Sequence, residues 1–241
     1  MRILIVNPNT TASMTAKLAA AARRVAAAGT EIVAVNPSSG PASIEGYYDG
    51  AFAVPGLLEE IAKAPDFDGY VIGCFDDTGL DAARALAGAP VIGIGEAAFH
   101  AASLIAGKFS VVTTLARSIP AIEHNLVRYG LAARCAKVRA SEVAVLELEE
   151  TGSDARAKLS AEIGHAVAED GCDAIVLGCA GMADLAHSLS QEHGLPVVDG
   201  AAAAVKFCEA LAAMGLKTAK RGGYATPRAK VYAGEFVRHS P

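Results

Sequence analysis

The strongest constraint on the fold is a regular alternation of short apolar, β-branched runs with alanine-rich stretches of helical length. The runs predict eight strands, at Arg2–Asn7, Glu31–Asn36, Gly69–Cys74, Val91–Gly95, Phe109–Thr114, Arg134–Arg139, Ala174–Cys179 and Pro196–Asp199. The stretches between them predict eight helices, near residues 11–28, 50–63, 78–87, 96–106, 118–129, 154–169, 182–193 and 201–214. Near-continuous apolar strands are typical of parallel sheets covered on both faces, so the pattern predicts an α/β fold. Residues 217–241 are expected to form an irregular tail with one short helix.

Composition narrows the class of protein. The 241 residues are 52% hydrophobic and 20% charged, which indicates a globular chain long enough to bury a core. The net charge of −5 and the lack of a dense basic patch predict no nucleic-acid or anionic-membrane partner. Apolar run Ile3–Val6 is too short for a signal peptide, and no run reaches 18 apolar residues, so we expect a cytoplasmic protein with no membrane span. Five cysteines without a C-x-x-C pair predict neither disulfides nor a metal site.

A weak internal repeat divides the chain into two halves. The segment Asp68–Cys74, DGYVIGC, matches Asp173–Cys179, DAIVLGC. At a similar distance after each cysteine, Pro90 and Pro196 open a further short apolar run, and the first strand has a counterpart at residues 108–112. Three landmarks in the same order predict two pseudo-symmetric lobes, each a four-stranded, mainly parallel sheet flanked by helices.

The repeat singles out two of the five cysteines. Cys74 and Cys179 both end a predicted strand just before a helical segment, and open α/β sheets bind ligands at that edge. If the lobes face each other, the two thiols approach one cleft from opposite sides. Two acid/base groups on opposite faces of a carbon can remove a proton from one face and deliver one to the other, which is racemisation. We expect a helix N-terminus after each cysteine to lower the thiol pKa. Cys135, Cys172 and Cys208 lack this context and are interpreted as packing residues.

Each of these assignments has a plainer alternative. Free cysteine is often a buried apolar residue, so a two-lobed binding module with inert thiols fits the same pattern. The segments 7–11, 43–48 and 113–114 are expected either to line the cleft or to be capping and surface loops. Glu96 and His100 are interpreted as a surface or interface pair. We interpret Asp76 and Asp77 as residues that cap and complement a helix, or alternatively as residues that tune Cys74.

Over essentially its whole length, the chain resembles the hydantoin and allantoin racemases of the aspartate/glutamate racemase superfamily. Each matching motif is weak alone, but the set is specific: Asn7–Thr10, Ser43–Gly46, Gly73–Phe75, Gly79–Arg84, Pro90–Ile94, Phe109–Leu115 and Val176–Met182. The resemblance implies a racemase without a cofactor, in which Cys74 and Cys179 act from opposite faces. It also implies a homo-oligomer, a hexamer or a tetramer, and a cyclic ureide substrate whose C5 hydrogen is acidic because a carbonyl adjoins it.

The resemblance also implies a lobe division and a set of contacts. The C-terminal segment is expected to return to the first lobe, which then comprises residues 1–97 and 206–241, with 98–205 as the second lobe. The residues that we expect to contact substrate flank the two thiols: Asn9, Ile44, Phe75, Asp76, Thr114, Ala180, Gly181 and Met182.

The chain departs from the family pattern beside the first thiol. The family commonly has Phe-Gly-Asp-Pro-Gly there, whereas Asp76 and Thr78 replace the first glycine and the proline in this sequence. We expect the added carboxylate of Asp76 either to raise the Cys74 pKa or to favour a substrate with a hydrogen-bond donor.

The sequence therefore predicts a racemase of 5-monosubstituted hydantoins, with allantoin as the alternative substrate. An amino-acid racemase and a carboxylic-acid isomerase or decarboxylase stay open as alternatives. They are less favoured because neither cysteine motif has an arginine or lysine immediately beside it to bind a free carboxylate.

Overall fold

The structure, a computed structural model, describes residues 1–150 and 152–241. The strands are β1 Arg2–Val6, β2 Glu31–Val35, β3 Gly69–Ile72, β4 Val91–Gly93, β5 Phe109–Thr113, β6 Cys135–Ala140, β7 Ala174–Gly178 and β8 Val197–Val198. The helices are α1 Ala12–Val25, α2 Tyr47–Ala62, α3 Leu80–Leu86, α4 Ile94–Ile105, α5 Ile119–Arg128, α6 Ala155–Glu169, α7 Ala186–His193 and α8 Gly200–Ala213. Every predicted strand and helix is therefore confirmed, with ends displaced by a few residues. The tail differs from the prediction, because it holds two 3-10 turns, Gly222–Tyr224 and Gly234–His239, rather than one helix.

Two parallel sheets share one strand order. The first sheet is ordered β2-β1-β3-β4 and the second β6-β5-β7-β8, so each strand has a counterpart four places along the chain. The inner strands pair in register, from Ile3 with Gly69 in the first sheet and from Phe109 with Ala174 in the second. The two pseudo-symmetric α/β lobes predicted from the repeat are confirmed, and every strand pairing is parallel rather than mainly so.

Two helices cross between the sheets. Helix α4 follows the last strand of the first sheet but packs against β7, and α8 follows the last strand of the second sheet but packs against β3 and β4. Alanines such as Ala97, Ala102, Ala201 and Ala204 are fully buried there, and small side chains let α4 and α8 approach closely. The predicted lobe boundaries, after residues 97 and 205, fall inside these two helices.

The segment after α8 lies against α3 and the residues that directly follow it, in the first lobe. The Thr218 hydroxyl donates to the Ala89 carbonyl at 2.7 Å, and Lys220 Nζ donates to the Arg84 carbonyl at 2.7 Å. These contacts agree with a C-terminal segment that returns to the first lobe. The exact division of the chain into lobes stays a prediction.

An aromatic cluster joins the two lobes into one core. Phe99, on α4, meets Phe75 edge-on at 5.3 Å between ring centroids and stacks on Phe109 at 6.0 Å. All three rings are buried. Because Phe75 directly follows Cys74 and Phe109 begins β5, this packing fixes the first thiol loop relative to the second sheet.

The buried carboxylate of Asp77 holds the same loop by hydrogen bonds. It accepts from the backbone N–H groups of Gly95 at 3.0 Å and Glu96 at 2.8 Å, and from the Tyr129 hydroxyl at 2.7 Å. Asp77 therefore caps a helix, as one of the two interpretations of the sequence held, and the helix that it caps is α4.

Among the described residues, no helix has the length and apolar character needed to cross a bilayer.

Close packing around this loop leaves no room for a side chain at Gly95. A Cβ there would lie 2.2 Å from the Phe75 carbonyl oxygen and 2.9 Å from an Asp77 carboxylate oxygen. Gly164, inside α6, is different, because a Cβ there would meet only His193 Cε1, at 3.9 Å.

We expect Gly95→Ala to lower the free energy of unfolding by about 1–3 kcal/mol, the usual cost of overpacking. The matched variant Gly164→Ala should raise it by about 0.5–1 kcal/mol, because alanine is the better helix former. Urea unfolding of the three proteins measures both effects. Equal changes in the two variants would contradict the tight contact between the Cys74 loop and α4.

Candidate active site

Cys74 and Cys179 follow equivalent strands of the two sheets. Cys74 lies two residues after β3, and Cys179 follows β7 directly. Neither sulfur lies at the start of an α-helix, however. Helix α3 begins only at Leu80, and a 3-10 turn, Ala180–Met182, separates Cys179 from α7. The expected helix N-terminus beside each thiol is therefore wrong, although the strand-end position is confirmed.

A glycine precedes each cysteine because the neighbouring strand, and at Gly73 also helix α1, leave no space for a side chain. A Cβ on Gly73 would lie 2.7 Å from Leu18 Cδ1 and 3.2 Å from the Val6 carbonyl oxygen. A Cβ on Gly178 would lie 2.8 Å from Thr113 Cα. The Gly-Cys pair thus brings each thiol over the carboxyl end of its sheet, where the two lobes meet.

Both thiols line one small cavity between the lobes. Its volume is about 30 Å³, enough for about one water molecule. The lining residues are Asn9, Met14, Ile44, Gly73, Cys74, Phe75, Asp76, Thr113, Thr114, Ser118, Val145, Gly178, Cys179 and Ala180. The geometry brings the two cysteines selected from the sequence to one place, as the repeat predicted.

The predicted substrate contacts divide into two groups. Six of the eight line the cavity with the thiols: Asn9, Ile44, Phe75, Asp76, Thr114 and Ala180. The other two do not. The backbone N–H of Gly181 interacts with the Cys179 sulfur, and the side chain of Met182 is buried in the core of the second lobe. The contact of all eight residues with substrate stays a prediction.

Sequence reasoning did not select three of the lining residues. Met14 lies on the first turn of α1, Ser118 lies in the 3-10 turn before α5, and Val145 begins the 3-10 turn Val145–Glu149, far from either cysteine motif. Thr113, which ends β5, and Thr114 both line the cavity, which is one of the two alternatives that the sequence left open for them. No short-range pattern marks Met14, Ser118 or Val145, because tertiary packing alone brings them to the cavity.

Burial dominates the acid/base properties of the thiols. It raises the pKa of Cys74 to about 12 and the pKa of Cys179 to about 12. The sequence-based expectation of lowered thiol pKa values is therefore wrong for this closed arrangement. One opposing contact is common to both sites, because the backbone N–H two residues ahead, of Asp76 or of Gly181, lowers the pKa of the sulfur that it faces.

The two thiols have different neighbours. Cys74 Sγ lies 3.5 Å from Thr78 Oγ1, a contact that lowers the Cys74 pKa, while the carboxylate of Asp76 raises it. The pKa of Cys179 is raised, after burial, by Asp76, Glu149 and Glu45. Asp76 thus acts on both sulfurs, which agrees with the expectation that this carboxylate opposes ionisation of Cys74.

Asp76 and Asp77 occupy contrasting sites. The Asp77 carboxylate is fully used by its three hydrogen bonds, and burial raises its pKa to about 7. The Asp76 backbone carbonyl accepts a hydrogen bond from Asn125 Nδ2 at 2.8 Å, but its carboxylate faces the cavity. Burial raises the pKa of Asp76 to about 6.

The loop after β1 is both structural and part of the cavity wall. Asn7 Nδ2 donates to Asn9 Oδ1 at 2.8 Å and to Thr15 Oγ1 at 3.0 Å, and the Thr11 N–H also donates to Asn9 Oδ1. The side-chain oxygen of Asn9 is used within the loop, and its Nδ2 donates to Met14 Sδ at 3.6 Å. Nδ2 is therefore the side-chain group of Asn9 with a donor to offer a ligand, since sulfur is a weak acceptor. Of the two alternatives for this loop, capping and ligand contact, the structure is compatible with both.

Two segments cover the cavity from opposite lobes. Ile44 and Val145 both line it, and the Val145 N–H donates to Glu45 Oε1 at 3.1 Å. Lys17 Nζ then holds the second segment by donating to the Leu148 carbonyl at 2.8 Å and pairing with Glu149. The hydrogen bond between Val145 and Glu45 therefore joins the two covering segments across the lobes, and Lys17 holds the second segment to α1.

The sequence suggested that Glu96 and His100 form a pair, but the structure gives Glu96 another partner. Glu96 forms an ion pair with Arg84, and both side chains are largely buried. Among residues 1–150 and 152–241, no cluster of three or more histidine, cysteine, aspartate or glutamate side chains is arranged to hold a metal ion.

The family model for Asp/Glu/hydantoin racemases matches residues 3–208. A hydantoin racemase of Rhizobium meliloti is 51% identical over 239 residues, which cover 98% of this chain and 99% of the relative. A hydantoin racemase of Pseudomonas sp. (strain NS671) is 44% identical, over 97% of this chain and 95% of the relative.

Solved structures give the same result for the three-dimensional fold. The allantoin racemase of Klebsiella pneumoniae superposes with a TM-score of 0.97 at 48% identity, covering 100% of this chain and 99% of that one. The arylmalonate decarboxylase structure reaches a TM-score of only 0.57 at 17% identity, over 93% of this chain and 97% of that one, and so shares the fold alone.

The raised thiol pKa values predict how fast the two cysteines are alkylated. Below a thiol's pKa the thiolate fraction rises tenfold per pH unit, so the rates for Cys74 and Cys179 should climb steadily from pH 7 to 10. A cysteine in a short peptide should level off above about pH 8.5. Iodoacetamide labelling followed by peptide mass spectrometry measures both. A plateau below pH 9 at either site would contradict the dominance of burial.

The Thr78 contact predicts an unequal response of the two thiols. Thr78→Val keeps the shape but removes the hydroxyl, so alkylation of Cys74 relative to Cys179 at pH 8 should slow by about 3- to 10-fold, the value of one hydrogen bond. Thr78→Ser should restore the wild-type ratio. The ratio is read within one sample, so general changes in access cancel. An unchanged ratio in the valine variant would show that the hydroxyl does not act on Cys74.

Proposed function

Because the chain belongs to the Asp/Glu/hydantoin racemase family, we propose that it is a racemase that interconverts the D and L forms of 5-monosubstituted hydantoins. The observation that carries the proposal is the meeting of Cys74 and Cys179, from equivalent strands of two facing lobes, at one buried cavity. The sequence relatives support a hydantoin as the substrate, since three of them, at 44–51% identity, are hydantoin racemases.

In the proposed mechanism the two sulfurs act from opposite faces of C5. One thiolate takes the C5 hydrogen as a proton, and the electron pair of the broken C–H bond moves into the adjoining carbonyl to give an enolate. The thiol of the other cysteine then gives its proton to the opposite face of C5, and the carbonyl re-forms. The sulfurs finish with exchanged protonation states, ready for the other enantiomer. Acid and base both come from the chain, so this step needs no cofactor.

The thiol environment suits a weakly acidic carbon. A thiolate whose pKa is raised by burial is a stronger base than a free thiolate, and a C–H beside a carbonyl gives up its proton only to a strong base. The cost is a small thiolate population at neutral pH. The backbone N–H groups of Asp76 and Gly181 reduce that cost by facing the sulfurs.

Polar groups at the cavity wall complete the proposed site. Asn9, Thr114 and Ser118 line the same space as the thiols, and their side-chain donors are the candidates to bind the ring carbonyls. No arginine, lysine or histidine is among the described residues that line the cavity. A free carboxylate would have no cationic partner there, so the lining favours a neutral cyclic substrate over an amino acid or a malonate.

The cover of the cavity must open for the substrate to bind. A five-membered ring with its carbonyl oxygens is several times larger than one water molecule, while the closed space is about 30 Å³. The hydrogen bond between Glu45 and the Val145 N–H is the link between the two covering segments, so we propose that binding separates them there.

We further propose that the protein works in the cytoplasm as a homo-oligomer, a hexamer or a tetramer. Three aromatic side chains on α2, those of Tyr47, Tyr48 and Phe52, are each more than half exposed, and large exposed apolar groups in one patch often mark a contact with another chain.

The two-thiol mechanism predicts that Cys74→Ser and Cys179→Ser each lower racemisation by at least about 100-fold, because a serine hydroxyl is a far weaker acid at this position. Polarimetry with D- and L-5-(2-methylpropyl)hydantoin measures the loss. In D₂O, each variant should still exchange the C5 hydrogen of one enantiomer more readily than that of the other.

Cys135→Ser is the matched control, since Cys135 lies on β6 and does not line the cavity, and it should racemise at the wild-type rate. Full racemisation by either of the first two variants would eliminate the proposed mechanism. Inactivity of the wild-type protein on every hydantoin tested would eliminate the proposed substrate.

A further inference from the structure

Asp76 lies at the junction of two cavities. It lines the small thiol cavity, and it also lines a larger surface pocket of about 590 Å³ between α2 and α5. Asp76 is the residue that these two cavities share. The outer pocket has apolar walls, including Tyr47, Val54 and Ala121. His124, Asn125 and Arg128 lie at its polar side.

The carboxylate of Asp76 has no protein partner within the described part of the chain. No hydrogen bond or ion pair reaches its oxygens, although its backbone carbonyl is held by Asn125 Nδ2. The next residue, Asp77, shows the opposite arrangement, with two backbone N–H groups and a hydroxyl on its carboxylate. Its oxygens are not among the fully buried polar atoms that lack a partner, so they are open to solvent and free to accept donors from a ligand.

Asp76 also lies beside the reacting centre. It lines the thiol cavity together with Cys74 and Cys179, and its charge raises the pKa of both thiols. In the proposed mechanism C5 lies between these sulfurs, its hydrogen points at one of them, and the ring is held by the polar wall near Asn9 and Thr114. Because Asp76 lines both cavities, a C5 substituent on the Asp76 side of the ring is directed toward the outer pocket.

We propose that Asp76 selects hydantoins whose C5 substituent carries N–H donors, such as a ureido group, and that this substituent occupies the outer pocket. This inference rests on the racemase function proposed above and adds the class of substituent to it. The carboxylate accepts from the N–H groups nearest C5, and the apolar wall around Val54 and Ala121 encloses the rest of the substituent.

The test compares two substituents of the same shape. The ureido group of allantoin and the 2-methylpropyl group of 5-(2-methylpropyl)hydantoin both have four heavy atoms in the same branched arrangement, but only the ureido group donates hydrogen bonds. We take the ratio of kcat/KM for allantoin to kcat/KM for the alkyl hydantoin, after subtraction of the rates in buffer. The intrinsic acidities of the two substrates cancel when this ratio is compared between protein variants.

Asp76→Ala should lower the ratio by about 10- to 100-fold, the value of hydrogen bonds to a charged acceptor, and Asp76→Asn should lower it by less because an amide oxygen still accepts. Loss of the charge beside the thiols alters the turnover of both substrates, and the ratio removes that common effect. The control is Glu123→Gln. Glu123 is an exposed carboxylate on α5 that lines neither cavity, and its variant should keep the wild-type ratio and activity.

An unchanged ratio in Asp76→Ala, with the alkyl hydantoin still racemised by the wild type, would overturn the role of Asp76 and leave the proposed function intact. A ratio that falls equally in Glu123→Gln would also overturn it, because the effect would then be one of overall charge. If the wild type racemises neither substrate, the proposed function is overturned, and this inference with it.

Discussion

The position of the first thiol depends on one buried carboxylate. Asp77 joins three parts of the molecule, because its oxygens bind the first turn of α4 and the hydroxyl of Tyr129 at the end of α5. Helix α4 lies between the sheets, and α5 belongs to the second half of the chain. The loop that carries Cys74 is therefore fixed to both lobes at once. The glycines at 93 and 95 follow from this, since a Cβ at either would overlap the Asp77 carboxylate or the Phe75 carbonyl.

Much of this arrangement could be predicted from the sequence, because it depends on the spacing of apolar residues along the chain and on the internal repeat. Apolar runs separated by alanine-rich stretches specify parallel strands and helices, and the repeated Gly-Cys motif locates Cys74 and Cys179 at equivalent strand ends. The contacts of Asp77 could not be predicted in this way. Its partners are 18 to 52 residues away along the chain, and an aspartate before a helix normally caps that helix.

The thiol pKa values show where sequence reasoning failed in physical terms. The expectation of a helix dipole assumed that a helix begins directly after each cysteine, but 3-10 and irregular turns intervene. Burial then becomes the largest influence on the two thiol pKa values, and it raises them where a helix dipole would lower them. How deeply a side chain is buried depends on the cover formed around Ile44 and Val145, and neither segment carries a pattern that locates it over the cleft.

The repeat makes the strand ends equivalent, but it does not make the two halves of the site equally rigid. Cys74 is followed by Phe75 in the aromatic core and by the anchored Asp77, which both lie outside the covering segments. Two residues after Cys179 comes Gly181, and a Cβ there would lie 3.0 Å from Leu148 of the covering segment. The opening proposed for substrate binding would therefore remove packing beside Cys179 and keep the core contacts of the Cys74 loop. The proposed acid/base pair combines one thiol on a fixed support with one whose burial, and hence whose pKa, depends on closure.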